Sequence, residues 1–377
     1  MPIGLDKATR EGAKRTRAAL TIALLALTSW GAVLADEAPK VTAETRSNVV
    51  SHLETELKNR YVFPDVATRV ASTLDANLKA GRYDHDTTAD AFADHLSRDL
   101  RALGNDRHLM VKFAPKFKAP PEGDPPPPTK ADLDETRAWV AKIGAGIATV
   151  RRLPGNVGYI DLRAFPPADF VVSSYKAALL MLAGSDGIII DLRQNMGGDP
   201  HAVALFLSYF FPEGDVRHLN DMYWRKDGST AEFHTFPVDG ERLSAPVYVL
   251  TSARTFSGGE EAAYDFQTQK RGTLIGATTG GGANPGGMFA LADGFIAFVP
   301  VGRAINPVTK TNWEHVGVKP DIEVAPEKAM ILAYCKLIEL RLKTEKDPDE
   351  QSELHKALTD ADNIEAPVAD YTPFHAD

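Results

Sequence analysis

Ser257, in Thr255-Phe256-Ser257-Gly258-Gly259-Glu260, is the residue of this chain best placed for covalent chemistry. The apolar run Val247–Leu250 ahead of it reads as a buried strand, and Glu260–Gln269 behind it as a helix. A hydroxyl at such a turn stands beside unpaired backbone N–H groups and the positive end of the helix dipole. Attack by a serine there leaves an oxyanion where donors already wait. The same residues also spell a capping box, Ser257-x-x-Glu260, which needs only to satisfy helix N–H groups. On this stretch alone both readings stand. A second glycine turn, Asn195-Met196-Gly197-Gly198, follows the continuous apolar strand Gly187–Leu192 and precedes a helix from Pro200 to about Phe211. It too presents backbone N–H groups above a strand end.

Other chemistries have less support. No G-x-G-x-x-G opens the first helix and no G-x-x-x-x-G-K-[ST] occurs, so phosphate binding has no loop to act through. The G-x-S-x-G hydrolase elbow is also missing around Ser257. The ten histidines are scattered, with no H-x-x-x-H, and the single cysteine cannot build a thiolate site. No metal centre and no cofactor are expected. Acyl transfer by an activated serine is the best-supported chemistry.

The elements that must position these turns are legible in outline. Thr42 to Leu103 reads as three short helices, with Val49, Val50, Leu53 and Leu57 on one face of the first. An extended Leu109–Phe113 follows, then a proline-rich stretch, PKFKAPPEGDPPPPT over 115–129. From Gly144 the pattern alternates strands and helices: a hairpin over Ile147–Leu162, a helix over Ser173–Leu182, a second hairpin near Leu219–Phe236, and a closing helix near Lys328–Lys343. The expected division is a leader over 1–35, a helical domain over 36–114, a linker with a connecting helix over 115–143, a core over 144–346 and a polar tail over 347–377.

The leader carries Lys7, Arg10, Lys14, Arg15 and Arg17 before an apolar Ala18–Leu27, with Val33-Leu34-Ala35 as a cleavage site. This has the form of a secretory signal peptide, and the protein is expected outside the cytoplasm with no integral span once it is removed. Removal takes away five basic and two acidic residues, so the formal charge of -9 becomes -12, since -9 minus 3 is -12. An acidic chain of this kind excludes nucleic acid as the expected partner.

DLRQNMGG (191–198), TFSGGEEA (255–262), IGATTGGGANPG (275–286) and NWEHVGVKPDIEV (312–324) together resemble the S41 serine peptidases. That group includes C-terminal processing peptidases, the tricorn core and the modules of interphotoreceptor retinoid-binding protein. The resemblance implies an α/β fold: a crotonase/ClpP-like spiral ββα core preceded by a small N-terminal helical bundle. It also implies peptide or protein substrates. Ser257 matches the nucleophile, and Gly258 with Gly197 or Gly198 matches the oxyanion hole. The lysine base of the processing peptidases is missing from Gly280-Gly281-Gly282-Ala283. Lys270 lies a helix length away, about 20 Å along the axis. The resemblance to tricorn offers His108 as base and Glu314 as its orienting carboxylate, with Glu260 as a further candidate partner. The alternative is a non-catalytic carrier of hydrophobic ligands on the same fold, as in the retinoid-binding relatives. A non-peptidic ester hydrolase would use the same machinery.

Overall fold

The computed structural model describes residues 40–119, 127–364, 369 and 371. The expected leader and part of the proline-rich stretch lie outside them, as does most of the end of the tail. Three helices come first: α1 (Ala43–Arg60), α2 (Pro64–Lys79) and α3 (Ala89–Gly104). Thr42 and Thr88 cap α1 and α3 through their side chains, and Pro64 opens α2, where the missing N–H costs nothing. Next come β1 (Met110–Phe113), α4 (Lys130–Lys142), β2 (Ile147–Leu153), β3 (Val157–Leu162), α5 (Ala168–Leu182), β4 (Gly187–Asp191) and α6 (Pro200–Ser208). The hairpin of β5 (His218–Trp224) and β6 (Thr230–His234) precedes β7 (Val247–Thr251), α7 (Gly258–Thr268) and β8 (Thr273–Gly276). The chain continues through β9 (Gly286–Ala290), β10 (Phe295–Pro300), β11 (Gly302–Ile305), β12 (Ile322–Glu323), α8 (Pro326–Leu342) and α9 (Pro348–Thr359).

The central sheet has six strands in the order β12-β8-β7-β4-β3-β2, parallel except for the edge strand β2. β4 and β7 are neighbours, so the two glycine turns at their C-terminal ends lie side by side. Ile188, Ile189 and Ile190 are fully buried because helices cover both faces. Val203 and Phe206 of α6 and Phe266 of α7 pack with Ile188 and Ile190 on one face. Met330, Tyr334 and Leu337 of α8 pack with Ile189 on the other.

Two features depart from the sequence reading. The helical bundle does not close on itself. Leu53, Phe92 and Leu96 share one core with Phe295, Ala297 and Val299 of β10, and β1 pairs antiparallel with β10. Three short helices leave an apolar face that the β1-β10-β9 sheet covers. The stretch after Asp347 also contains α9, capped by Asp347 and packed through Leu354 onto α8. Its apolar positions are too sparse for the pattern to reveal it.

Candidate active site

Ser257 heads α7 with φ 53° and ψ −121°, a conformation L-residues rarely adopt. Such strain costs about 1–3 kcal/mol and persists only where neighbours over-determine it. Here they do. Phe256 N–H donates to Asn195 O at 2.9 Å, and Gly280 N–H donates to Thr255 O at 3.0 Å. Thr255 Oγ1 donates to Leu192 O at 2.8 Å, and Ser252 Oγ donates to Arg193 O. The turn after β7 is thereby riveted to the turn after β4.

Asn195 is fully buried and organises that second turn. Its Nδ2 donates to Leu162 O at 2.8 Å, and its Oδ1 accepts from Gly197 N–H at 2.8 Å. Gly198 sits at φ 142°, and a Cβ there would lie 2.0 Å from Phe165 O. A Cβ on Gly258 would lie 2.9 Å from Gly198 N, so these two glycines abut. At the start of α7, the N–H groups of Gly259, Glu260 and Glu261 all have backbone acceptors. Those of Gly258 and Gly198 have none among the described residues.

Glu260, three residues on from Ser257, is fully buried. Its carboxylate accepts from Ser257 N–H at 2.9 Å, Gly281 N–H at 2.7 Å, Gly282 N–H at 2.8 Å and Thr279 Oγ1. It therefore clamps the Ser257 turn to the glycine-rich turn, through backbone groups. Burial outweighs those donors and pushes its pKa from the ordinary 4.5 to about 8. The folded protein then holds a proton that the unfolded chain has released. This contribution to stability is complete below pH 4.5 and lost as pH rises toward 8. Thermal denaturation is expected to show stability falling between pH 5 and 8, with the decline shallower in Glu260→Gln by on the order of a few kcal/mol. Parallel profiles in the two proteins would contradict this.

His108 lies between α3 and β1, 9% exposed. Its ring meets Phe256 at 4.7 Å, one residue from Ser257, and stacks on Phe298 at 5.6 Å. A Cβ on Gly282 would be 2.7 Å from His108 Cε1, so glycine is required where the third turn passes the imidazole. Ligand atoms of Asp106, His108 and Glu314 lie within 4.8 Å of one another. Glu314 Oε2 accepts from Ala283 N–H at 2.6 Å and Asn284 N–H at 3.1 Å, and Oε1 from Arg107 N–H at 3.2 Å. Burial, then neighbouring Asp106, pushes Glu314 up to about 9. Burial lifts Asp106 to about 6, against bonds from Asn284 Nδ2 at 2.8 Å, His108 N–H at 3.0 Å and Tyr61 Oη at 3.1 Å.

The turns after β4 and β7 set Ser257 and Gly258 against Gly197 and Gly198; Glu260 accepts from the Ser257 N–H, and His108 packs on Phe256 with Glu314 beside it. Sequence reasoning placed Asn195 only as the start of its glycine turn and gave no role to Asn284 or Asp106. The Asp106-x-His108 spacing was the available sign, since an Asp side chain caps an N–H two residues on. A cavity of about 290 Å³ adjoins Glu314, lined by Phe63, Asn284, Arg303, Lys310 and Asn312 among others. No helix among the described residues is long and apolar enough to cross a membrane.

The model of peptidase family S41 matches residues 156–324, and that of the N-terminal domain of Peptidase_S41 in eukaryotic IRBP matches residues 37–143. The chain belongs to peptidase family S41. The chain is 29% identical over 196 residues to a carboxyl-terminal-processing protease of Synechocystis. That alignment covers 52% of this chain and 40% of the relative. A nisin-resistance protein of Lactococcus lactis is 25% identical over 203 residues, covering 50% and 59%. The S41 chain thus spans less than two thirds of either relative's length. The solved structure of mature CPAF superposes with a TM-score of 0.54 at 12% identity, covering 86% of this chain and 99% of that one, which shows the shared fold.

Proposed function

We propose that this S41 member is an exported serine peptidase that cleaves peptide bonds through an acyl-enzyme on Ser257. His108 takes the proton from Ser257 Oγ as it attacks the scissile carbonyl, then returns it to the leaving amine. The carbonyl oxygen, now an oxyanion, accepts from Gly198 and Gly258 N–H; Gly197 N–H is committed to Asn195. Glu314 orients the imidazole and compensates its charge. Water, activated by His108, then releases the acyl group. The observation that carries this reading is the cluster of His108, Glu314 and Asp106, with His108 packed against the residue preceding the strained Ser257.

The carrier reading requires a mostly apolar site; the cavity beside Glu314 mixes Phe63, Ala304 and Ile305 with Asn284, Arg303, Lys310 and Asn312, so covalent chemistry at Ser257 is what separates the two readings. The test of enzyme against carrier is labelling of the wild-type protein by a fluorophosphonate, with mass spectrometry to locate the adduct on Ser257.

Export rests on residues 1–35. The mature protein is expected to begin at Asp36, as intact mass measurement of material from its native compartment would reveal. A mature form retaining Met1–Ala35 would refute cleavage.

A further inference from the structure

The outward face of the β5–β6 hairpin gathers side chains that the peptidase chemistry does not use. His218 stands opposite His234, and Asp221 opposite Glu232. Glu232 and His234 are two apart on β6 and so share a face. His218 and Asp221 are three apart and would not, but the register slips between His218 and Asn220. An irregularity of this kind re-aims the side chains beside it. Asp221 Oδ1 consequently lies 2.7 Å from His218 Nε2. Asn220, Met222 and Phe233, on the other face, are buried.

The two imidazoles stack with centroids 4.3 Å apart and planes at 16°. Two carboxylates directly opposite each other repel unless a cation stands between or beside them. One ligand atom from each of His218, Glu232 and His234 lies within 4.8 Å of the others.

We propose that this hairpin is a surface site for a borderline transition-metal dication of the Zn²⁺ class, ligated by His218, His234 and Glu232 with Asp221 orienting His218. Two imidazoles and a carboxylate are a donor set suited to such ions, and a carboxylate on a ligating ring is the usual orienting partner. Near-parallel rings cannot aim at one ion, so binding opens the stack by rotation about χ2, which half-exposed side chains permit. The site also reaches the catalytic scaffold. Gln269, the C-cap of α7, donates from Nε2 to His218 O at 2.8 Å. An ion would pin the hairpin to the far end of the helix that Ser257 heads.

The test is titration of the metal-stripped full chain with Co²⁺ read by visible absorption, followed by displacement with Zn²⁺. One equivalent should bind with ligand-field bands, and Asp221→Asn should weaken affinity by about 10- to 100-fold. Asp106, His108 and Glu314 form a second cluster able to chelate, so His108→Ala serves as the contrast. Binding that survives His108→Ala but is lost in both His234→Ala and Glu232→Gln supports the hairpin site. Absence of Co²⁺ absorption in the wild type overturns it, as does binding unchanged in folded His234→Ala. Fluorophosphonate labelling of His234→Ala is expected at the wild-type rate, which also shows that this variant retains its fold.

Discussion

Ser257→Ala is expected to abolish fluorophosphonate labelling and to lower peptide hydrolysis by about 10⁴-fold or more, because no other group can carry the acyl intermediate. Its stability should stay within about 1 kcal/mol of wild type, since alanine inherits the same φ of 53° and loses only a hydroxyl. Ser257→Gly makes a sharper companion. Glycine adopts this conformation without strain, which returns about 1–3 kcal/mol against about 0.5–1 kcal/mol of added unfolded-chain entropy. The glycine variant should therefore be inactive and more thermostable than the alanine variant. Labelling that persists in Ser257→Ala would move the nucleophile elsewhere. A wild-type protein that is never labelled would return the fold to a carrier role.

His108→Ala should slow acylation by about 10²- to 10⁴-fold, the range for removing a positioned base. Glu314→Gln should cost less, and the double variant should not show the sum of the two losses, because both act through one imidazole. The physical reason lies in the buried acids. When His108 takes the serine proton, a positive charge forms within 4.8 Å of Asp106 and Glu314. Burial has lifted both carboxyls, and an adjacent imidazolium opposes that lift by favouring their ionised forms. Glutamine at position 314 keeps the shape but removes that compensation. Single-turnover acylation rates of the two variants and the double variant, with circular dichroism to confirm folding, decide the matter. A folded His108→Ala protein acylating at the wild-type rate would remove His108 from the mechanism.

Much of this arrangement is legible in the amino-acid sequence, for reasons that differ from residue to residue. The run Gly187–Leu192 declares a strand buried on both faces because no polar residue interrupts it before Asp191. Ser257 and Gly197-Gly198 stand out because a strand, a glycine turn and a helix form a local unit whose exposed N–H groups follow from backbone geometry. His108 and Glu314 have no such local sign and are reached only through resemblance. Neither helical periodicity nor turn chemistry relates residues at opposite ends of a chain.

Tertiary structure decided the rest. Which glycine N–H remains open depends on Asn195, whose side chain occupies that of Gly197. Whether Glu260 is a helix cap or a clamp depends on the glycine-rich turn folding back to place Gly281 and Gly282 over its carboxylate. The pairing of β1 with β10 carries His108 from the helical segment into the core site, and the hairpin register sets His218 against His234. Sequence by itself determined the elements and the turn that holds Ser257, because those depend on neighbours along the chain. The proposed base, the carboxylates beside it and the open N–H groups came together only when strands distant in sequence took their register, because each sits in a turn whose place is set by the strands it joins and not by its neighbours along the chain.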